Sequence, residues 1–381
     1  MSLEVHITKK LNNFTLQADL TSDGNCTGIL GESGCGKSMF LKCISGIETP
    51  DSGSIVLDGR VLFNSEKKIN LPPQKRNVGY LFQNYALFPS MTVSENIASG
   101  IQSGKHFLSR RDKAKVAAIV KEQIERCRLQ GLENSYPSQL SGGQQQRTAL
   151  ARMLAVNPSI IMLDEPFSAL DSHLKEAMQT EMHEIIRNYP GNILIVSHSR
   201  DELYRLCDSL YIMNQGIFVQ NGAIKDVFQT PGSVQAAILT GCKNITPVNK
   251  ISQYQVEAPE WGITFTSACP VNETITHIGI RAHFFHLVSK PDQTLPHQET
   301  SAKHKTFHEN PADYDTNTEN IFQAQVVDMN ERPFEYDYYL KTISSTQSFL
   351  WKVHKVSDME FQKGDWLTFR VLPKDVMLLV K

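Results

Sequence analysis

Eight residues, "GESGCGKS" from Gly31 to Ser38, limit what this chain can fold into more than any other feature. Gly34 and Gly36 free the backbone to turn successive N–H groups inward around an anion. An apolar, β-branched run, "CTGIL", precedes the loop, and "SMFLKCISG", which reads as helical, follows it. Strand, glycine loop, helix is the context that G-x-x-x-x-G-K-[ST] requires, and it places phosphates at a helix N-terminus. Gly31, Glu32, Ser33, Gly34, Cys35, Gly36, Lys37 and Ser38 are therefore the candidate cradle. Lys37 would reach the β- and γ-phosphates, and Ser38 would give an oxygen to Mg²⁺.

A parallel α/β sheet is expected around such a loop. "NVGYLF", "SIIMLD" and "NILIVS" are short apolar runs typical of buried parallel strands. "SIIMLDEP" ends in Asp164, placed to hold Mg²⁺, and Glu165, placed to polarise an attacking water as general base. "NVGYLFQ" ends in Gln83, an amide suited to sensing Mg²⁺ and the lytic water. "NILIVSH" ends in His198, a donor for the γ-phosphate. Ligands of open α/β sheets sit at the carboxyl ends of strands, so these polar strand ends are expected to share one crevice. Between "NVGYLF" and "SIIMLD" the chain reads as mostly helical. Val116, Ile119, Val120 and Ile124 make an apolar stripe there, expected to be a packing face.

A second glycine stretch, "QLSGGQQQRTALARML" at 139–154, raises a different question. Ser141, Gly142 and Gly143 open a helix with little side chain over its first N–H groups, which also suits an anion. One chain thus carries two candidate phosphate cradles.

With 381 residues there is room for two or three domains of about 100–200 residues each. The net charge of −2 gives no reason to expect nucleic acid as a partner. Seven scattered cysteines without a C-x-x-C, and no apolar run of signal-peptide length in "MSLEVHITKKLNNF", point to a reduced, cytosolic setting. No window approaches about 18 uninterrupted apolar residues, so a membrane role would act through a partner. After about residue 235, "WGITFTSA", "HIGIRAHFFHLVS", "NIFQAQVVDM", "FEYDYYLKTI", "SFLWKVHKV" and "DWLTFRVL" read as strands between turns, an all-β part of OB type. Residues 290–320, polar and with Pro291, Pro296 and Pro311, read as a loop or linker. Half of the twelve histidines fall between His277 and His308 without regular spacing, so they are expected to be solvated or structural and not metal ligands. The expected division is 1–234, with a helical part at about 86–156, and 235–381.

Over about residues 1–230 these motifs together resemble the ATP-binding cassette (ABC) ATPase family. They stand in the family's order: Walker A at 31–38, Gln83 in the Q-loop, the signature "LSGGQ" at 140–144, and Walker B through Asp164 and Glu165. "SALD" at 168–171, ending in Asp171, follows as the D-loop, and His198 as the switch histidine. The resemblance implies an α/β P-loop ATPase domain with a helical subdomain, followed by an all-β, OB-like domain of the MOP/TOBE type. It implies ATP, and Mg²⁺ near Ser38, Gln83 and Asp164. It also implies a head-to-tail pair of copies, in which Ser141, Gly142, Gly143 and Gln144 of one cover the nucleotide on the Walker A loop of the other. The second cradle would then serve the partner's ATP. The family stacks an aromatic on adenine, and Phe14 is the nearest candidate.

"RNVGYLFQNYALFPSMTVSENI" at 76–97 resembles the ATPases of importers for sugars, polyamines and inorganic oxyanions. The resemblance implies that Gln83 to Pro89, with apolar Ala86, Leu87 and Phe88, receives a short helix of a transmembrane permease. It places the chain peripherally at the cytoplasmic face of the membrane, with an extracytoplasmic substrate-binding protein acting indirectly. "DGRVLFNSEKKINLPPQKRNVGYLFQ" looks closest to molybdate importers; sulfate, maltose-type sugar, polyamine and ferric iron are the alternatives. The C-terminal part resembles the regulatory barrels of such ATPases, but the Ser-Ala-Arg-Asn motif of molybdate-binding barrels is absent. Dimer stability is therefore its expected role ahead of oxyanion sensing. Cassette proteins without a membrane partner carry paired cassettes or long coiled-coil insertions, and this chain has one Walker A and no heptads.

Overall fold

The computed structural model describes residues 2–11, 13–24, 26–103, 112–168, 172–289, 320–355 and 360–381. It divides into two units, Met1–Val227 and Phe228–Lys381.

The first unit is built on an eleven-stranded sheet. Its strands are β1 (Leu3–Lys10), β2 (Thr15–Ser22), β3 (Cys26–Leu30), β4 (Ser52–Leu57), β5 (Arg60–Asn64), β6 (Ile69–Asn70), β7 (Val78–Leu81), β8 (Ile160–Asp164), β9 (Asn192–Ser197), β10 (Ser209–Asn214) and β11 (Ile217–Ala223). They lie in the order β6-β5-β4-β1-β2-β11-β10-β3-β9-β8-β7. From β10 to β7 every neighbour is parallel. Alternation along β1, with Leu3, Val5 and Ile7 buried between exposed residues, marks a sheet part covered on one face. β3, β8 and β9 are buried at every position, the pattern of strands covered on both faces.

α1 (Lys37–Ser45) leaves the glycine loop and sets Phe40, Leu41 and Ile44, fully buried, into the core with Ile29, Met162 and Val196. Burying each such side chain contributes about 1.5–3 kcal/mol. After the single turn α2 (Pro73–Arg76), the chain forms α3 (Val93–Ser103), α4 (Lys113–Arg126) and α5 (Gly142–Leu154), the helical subdomain. On α4 Val120 and Ile124 are buried, whereas Val116 and Ile119 are only half-buried. A groove of about 730 Å³ runs along Val116, Val120 and Ile124 with Ala98 of α3, so the stripe packs along part of its length only. None of the candidate site residues lines it. α6 (Ser172–Arg187) and α7 (Arg200–Leu206) follow β8 and β9. No described helix is long and apolar enough to cross a membrane.

α8 (Ile224–Gln229) runs across the boundary between the units, and α9 (Val234–Leu239) belongs to the second. There Val234 and Ala237 pack with Cys242, Met377 and Leu379, and Val234 N–H donates to Val380 O at 2.9 Å. The second unit is otherwise all β: β12 (Asn244–Pro247), β13 (Asn249–Lys250), β14 (Gln255–Ala258), β15 (Ile263–Thr266), β16 (His277–Ile280), β17 (His286–Ser289), β18 (Asn320–Glu331), β19 (Glu335–Lys341), β20 (Phe349–His354), β21 (Trp366–Val371) and β22 (Met377–Leu379). They form antiparallel sheets β12-β16-β22, β13-β14-β15 and β17-β21-β18-β19-β20. Their inner faces meet in a core that includes Trp261, Phe265, Phe285, Phe349, Trp351 and Phe369. Two buried asparagines join sheets whose main chains do not pair. Asn320 accepts from Thr266 N at 2.6 Å and donates to Thr266 O and Val371 O, each at 3.1 Å. Asn244 accepts from Leu350 N at 2.6 Å and donates to Leu350 O at 2.8 Å. Each amide thus replaces a missing step of ladder, and the curled sheets close into an OB-like domain. The residues of 290–319, most of the expected linker and the histidines from His297 to His308, lie outside the described residues.

Candidate functional site

Register brings the three polar strand ends and the glycine loop to one edge. Leu30 of β3 is level with Ser197 of β9, Val196 with Asp164 of β8, and Leu163 with Leu81 of β7. The strands run the same way, so Gly31, His198, Glu165 and Gln83 all emerge within two residues of one line.

The glycine loop is tight. Gly36, the N-cap of α1, has φ 114°, and a Cβ there would come 3.3 Å from the Phe14 ring. A Cβ on Gly31 would lie 2.6 Å from both Cys35 Sγ and Met213 O, so the loop and the end of β10 leave no room for one. Lys37 is buried and donates to Gly31 O at 2.8 Å and Glu32 O at 2.9 Å, with Glu165 Oε1 at 3.8 Å. Glu32, Ser33 and Gly34 are exposed at the loop's crest. Cys35 is buried, and burial pushes its thiol pKa up despite the Lys37 charge, so it is a poor nucleophile. Phe14 lies in the turn between β1 and β2, half-buried, with its ring against Gly36 and Gly216. It is part of the wall beside the loop as well as of the core edge.

Ser38 donates from Oγ to Asp164 Oδ1 at 2.8 Å, and Tyr80 OH donates to Asp164 Oδ2 at 2.7 Å. Burial and the Asp164 charge hold the Tyr80 phenol well above its ordinary pKa, so it stays a donor. Glu165 has left-handed backbone (φ 48°), which costs a non-glycine residue about 1–3 kcal/mol. Its N–H donates to Val196 O at 3.0 Å, and its carbonyl accepts from Ser168 Oγ at 2.9 Å, which fixes the turn. The carboxylate then accepts from exposed His198 Nδ1 at 2.8 Å. Gln83 is exposed and donates from Nε2 to Ser168 Oγ at 3.3 Å, which ties it to the same turn. Hard oxygens from Ser38 and Asp164 suit Mg²⁺, an ion usually held through few carboxylates, phosphates and water. Among the described residues no cluster of three His, Cys, Asp or Glu could hold a metal alone.

The signature helix differs from the expectation of bare N–H groups. Ser141 is its N-cap and accepts from Gln144 N at 3.4 Å, while Gln144 Oε1 accepts from Ser141 N at 2.9 Å. This capping box occupies two donors of the first turn, leaving Gly142 and Gly143 as the open pair. Gly143 is buried and Gly142 half-buried. No lysine, carboxylate or histidine of the first site is hydrogen-bonded to these four residues. Asp171 lies outside the described residues.

Two features escaped the sequence. Tyr80 was visible only as a strand residue. Arg152, ten residues along the signature helix from Gly142, donates to Tyr85 O at 2.9 Å and Ala86 O at 2.8 Å, and lies 5.5 Å from the Phe88 ring centre. It braces the segment after Gln83, where Tyr85 and Ala86 have φ 59° and 45° and Ala86, Phe88 and Pro89 stay exposed.

A parallel-sheet fold with a phosphate loop at its strand ends defines a nucleotide-binding class, and known proteins narrow it. The ABC transporter family matches residues 12–168. A sulfate/thiosulfate import ATP-binding protein, CysA 2, of Agrobacterium fabrum is 39% identical over 231 residues, 60% of this chain and 65% of that protein. A spermidine/putrescine import ATP-binding protein, PotA, of Oleidesulfovibrio alaskensis is 38% identical, over 62% of this chain and 60% of that protein. An Fe(3+) ions import ATP-binding protein, FbpC, of Brucella abortus is 36% identical over 256 residues, 66% of this chain and 69% of that protein. The solved structure of cbiO1 from Clostridium perfringens, part of the ABC transporter complex cbiONQ, has a TM-score of 0.51 at 26% identity, covering 59% of this chain and 90% of that chain. The chain spans just under two thirds of the sulfate/thiosulfate and spermidine/putrescine relatives it matches. This chain belongs to the ABC transporter family.

Proposed function

We propose that this chain hydrolyses ATP as the energy-coupling subunit of an ABC importer. One observation carries the reading: Lys37–Glu165–His198 and Ser38–Asp164 are two contacting groups at the ends of neighbouring strands. Lys37 neutralises charge on the β- and γ-phosphates, and the amides of Gly31 to Ser38 hold the phosphate oxygens. Mg²⁺, when bound, would neutralise phosphate charge; Ser38 and Asp164, together with Gln83, would hold it. Glu165 takes the proton of the attacking water, and His198 fixes the Glu165 carboxylate and donates toward the γ-phosphate. Phe14 offers an aromatic face beside the loop. ATPase assay of the purified chain, with Glu165→Gln as the control that keeps nucleotide binding, tests this directly.

The reading extends to partners. Ser141 to Gln144 form a helix end with the Gly142 and Gly143 N–H groups open, and among the described residues no cation or base of the first site is hydrogen-bonded to them, so they are assigned to the ATP of a second, head-to-tail copy. The segment Gln83–Pro89, with Ala86, Phe88 and Pro89 exposed and held by Arg152, is the contact for a transmembrane permease at the cytoplasmic face, with a substrate-binding protein acting from the far side. The second unit, which lacks the Ser-Ala-Arg-Asn motif, serves dimer stability. Molybdate as cargo rests on the texture of residues 58–83 alone. The relatives named above are import subunits for sulfate/thiosulfate, spermidine/putrescine and Fe(3+), so sulfate is the first alternative to test. Stimulation of the reconstituted complex's ATPase by one of these substrates identifies the cargo.

A further inference from the structure

We propose that Tyr80 is a positioning residue that fixes which oxygen of Asp164 is offered to Mg²⁺. The proposal rests on the nucleotide-site reading above. It begins in the strand register. Tyr80 of β7 pairs with Met162 of β8, and Asp164 lies two residues further on the same face. A diagonal neighbour across adjacent strands is within reach of an aromatic side chain. The Tyr80 ring therefore runs forward along β8, and its hydroxyl ends 2.7 Å from Asp164 Oδ2. Asp164 is 5% exposed, and each of its oxygens has one donor among the described residues: Ser38 on Oδ1, Tyr80 on Oδ2. Ser38 is the residue expected to turn its oxygen to the metal. Tyr80 has no such second duty, and its ring is held against Phe82 at 4.3 Å between centres. It therefore keeps Oδ2 turned away and Oδ1 turned toward Ser38. Hydrogen-bond partners of metal-binding carboxylates set ligand orientation, and losing one typically weakens metal binding about 10–100-fold.

Tyr80→Phe removes one oxygen and keeps the ring. Affinity for a fluorescent ATP analogue, trinitrophenyl-ATP, is measured by equilibrium titration in excess EDTA and in saturating Mg²⁺, on the full chain carrying Glu165→Gln so that nucleotide is not consumed. The Mg²⁺-dependent gain in affinity should fall about tenfold in Tyr80→Phe, with affinity in EDTA unchanged. Adding Tyr80→Phe to Asp164→Asn should cause no further loss, because the two act through one contact. An undiminished Mg²⁺ gain, or an equal loss with and without Mg²⁺, overturns the role of Tyr80 and leaves the nucleotide site standing. Binding of the analogue with no Mg²⁺ gain in the chain with Tyr80 intact overturns the assignment of Ser38 and Asp164 to the metal, and with it the role of Tyr80; no binding in either condition removes the nucleotide-site reading itself.

Discussion

The two glycine stretches of the first unit look alike in sequence and differ in surroundings. Gly31–Ser38 is backed by a buried lysine, a carboxylate with two donors, and a strained Glu165 joined to His198. Ser141–Gln144 is a helix end whose capping box takes two donors and leaves the N–H groups of Gly142 and Gly143 open. Among the described residues, the charged groups proposed to neutralise phosphate or take a proton cluster at the first. Glycines followed by a helix thus make an anion site possible in both places. Chemistry follows only where neighbouring strands deliver charged residues, and for that reason the second stretch is assigned to a nucleotide held elsewhere.

That contrast can be broken by substitution. The largest effect is expected at Glu165→Gln: hydrolysis should drop about 10²–10⁴-fold in a steady-state phosphate-release assay while nucleotide stays bound. Turnover near the wild-type rate would remove the general base from the first site. Lys37→Ala should weaken ATP binding about tenfold or more by calorimetry, since a charge-assisted contact worth about 1.5–3 kcal/mol is lost. Equal affinity would place the nucleotide away from the loop.

Smaller effects separate local stability from binding. Asn320→Ala leaves Thr266 N–H and Val371 O without their buried partner, at about 1–3 kcal/mol for each unmet group. Denaturant unfolding should show this loss in the second unit, with ATP affinity unchanged. A fall in ATP affinity would mean that the units are not independent in this respect. Ser141→Ala removes the cap of the signature helix and should cost about 0.5–2 kcal/mol of stability, without changing monomer affinity for ATP. Weakened ATP binding in the monomer would mean that the helix end belongs to the chain's own site.

Much of the first unit was legible because its central strands are continuous apolar runs ending in polar residues, and a parallel sheet has only one way to collect those ends. Asp164, Glu165 and His198 could be expected at one edge for this reason, and Lys37 and Ser38 beside them from the glycine loop. Tyr80 could not, since its partner is 84 residues away and only register joins them. Nor could the capping box be separated from an open anion site, because Ser141 and Gln144 suit both. In the second unit the strands and an OB-like class were legible by alternation, but the amides of Asn244 and Asn320 that tie the sheets together were not, because a lone asparagine at a strand start carries no signal of its partner. α9 was hidden for a similar reason: six residues are too few for helical spacing to stand out.

In the proposed head-to-tail pair of copies, the two glycine stretches complete each other. The direct test of this mixes two subunits in the Glu165→Gln background, one carrying Lys37→Ala and the other Gly142→Asp. Each shared site takes Lys37 from one copy and Gly142 from the other, so the mixed pair has one doubly damaged site and one intact site. Dimer formation with ATP, followed by size-exclusion chromatography with bound nucleotide counted, should give mixed dimers holding one ATP per pair, while neither variant alone forms a nucleotide-loaded dimer. Mixed dimers holding no ATP, or loaded dimers formed by either variant alone, would contradict the sharing.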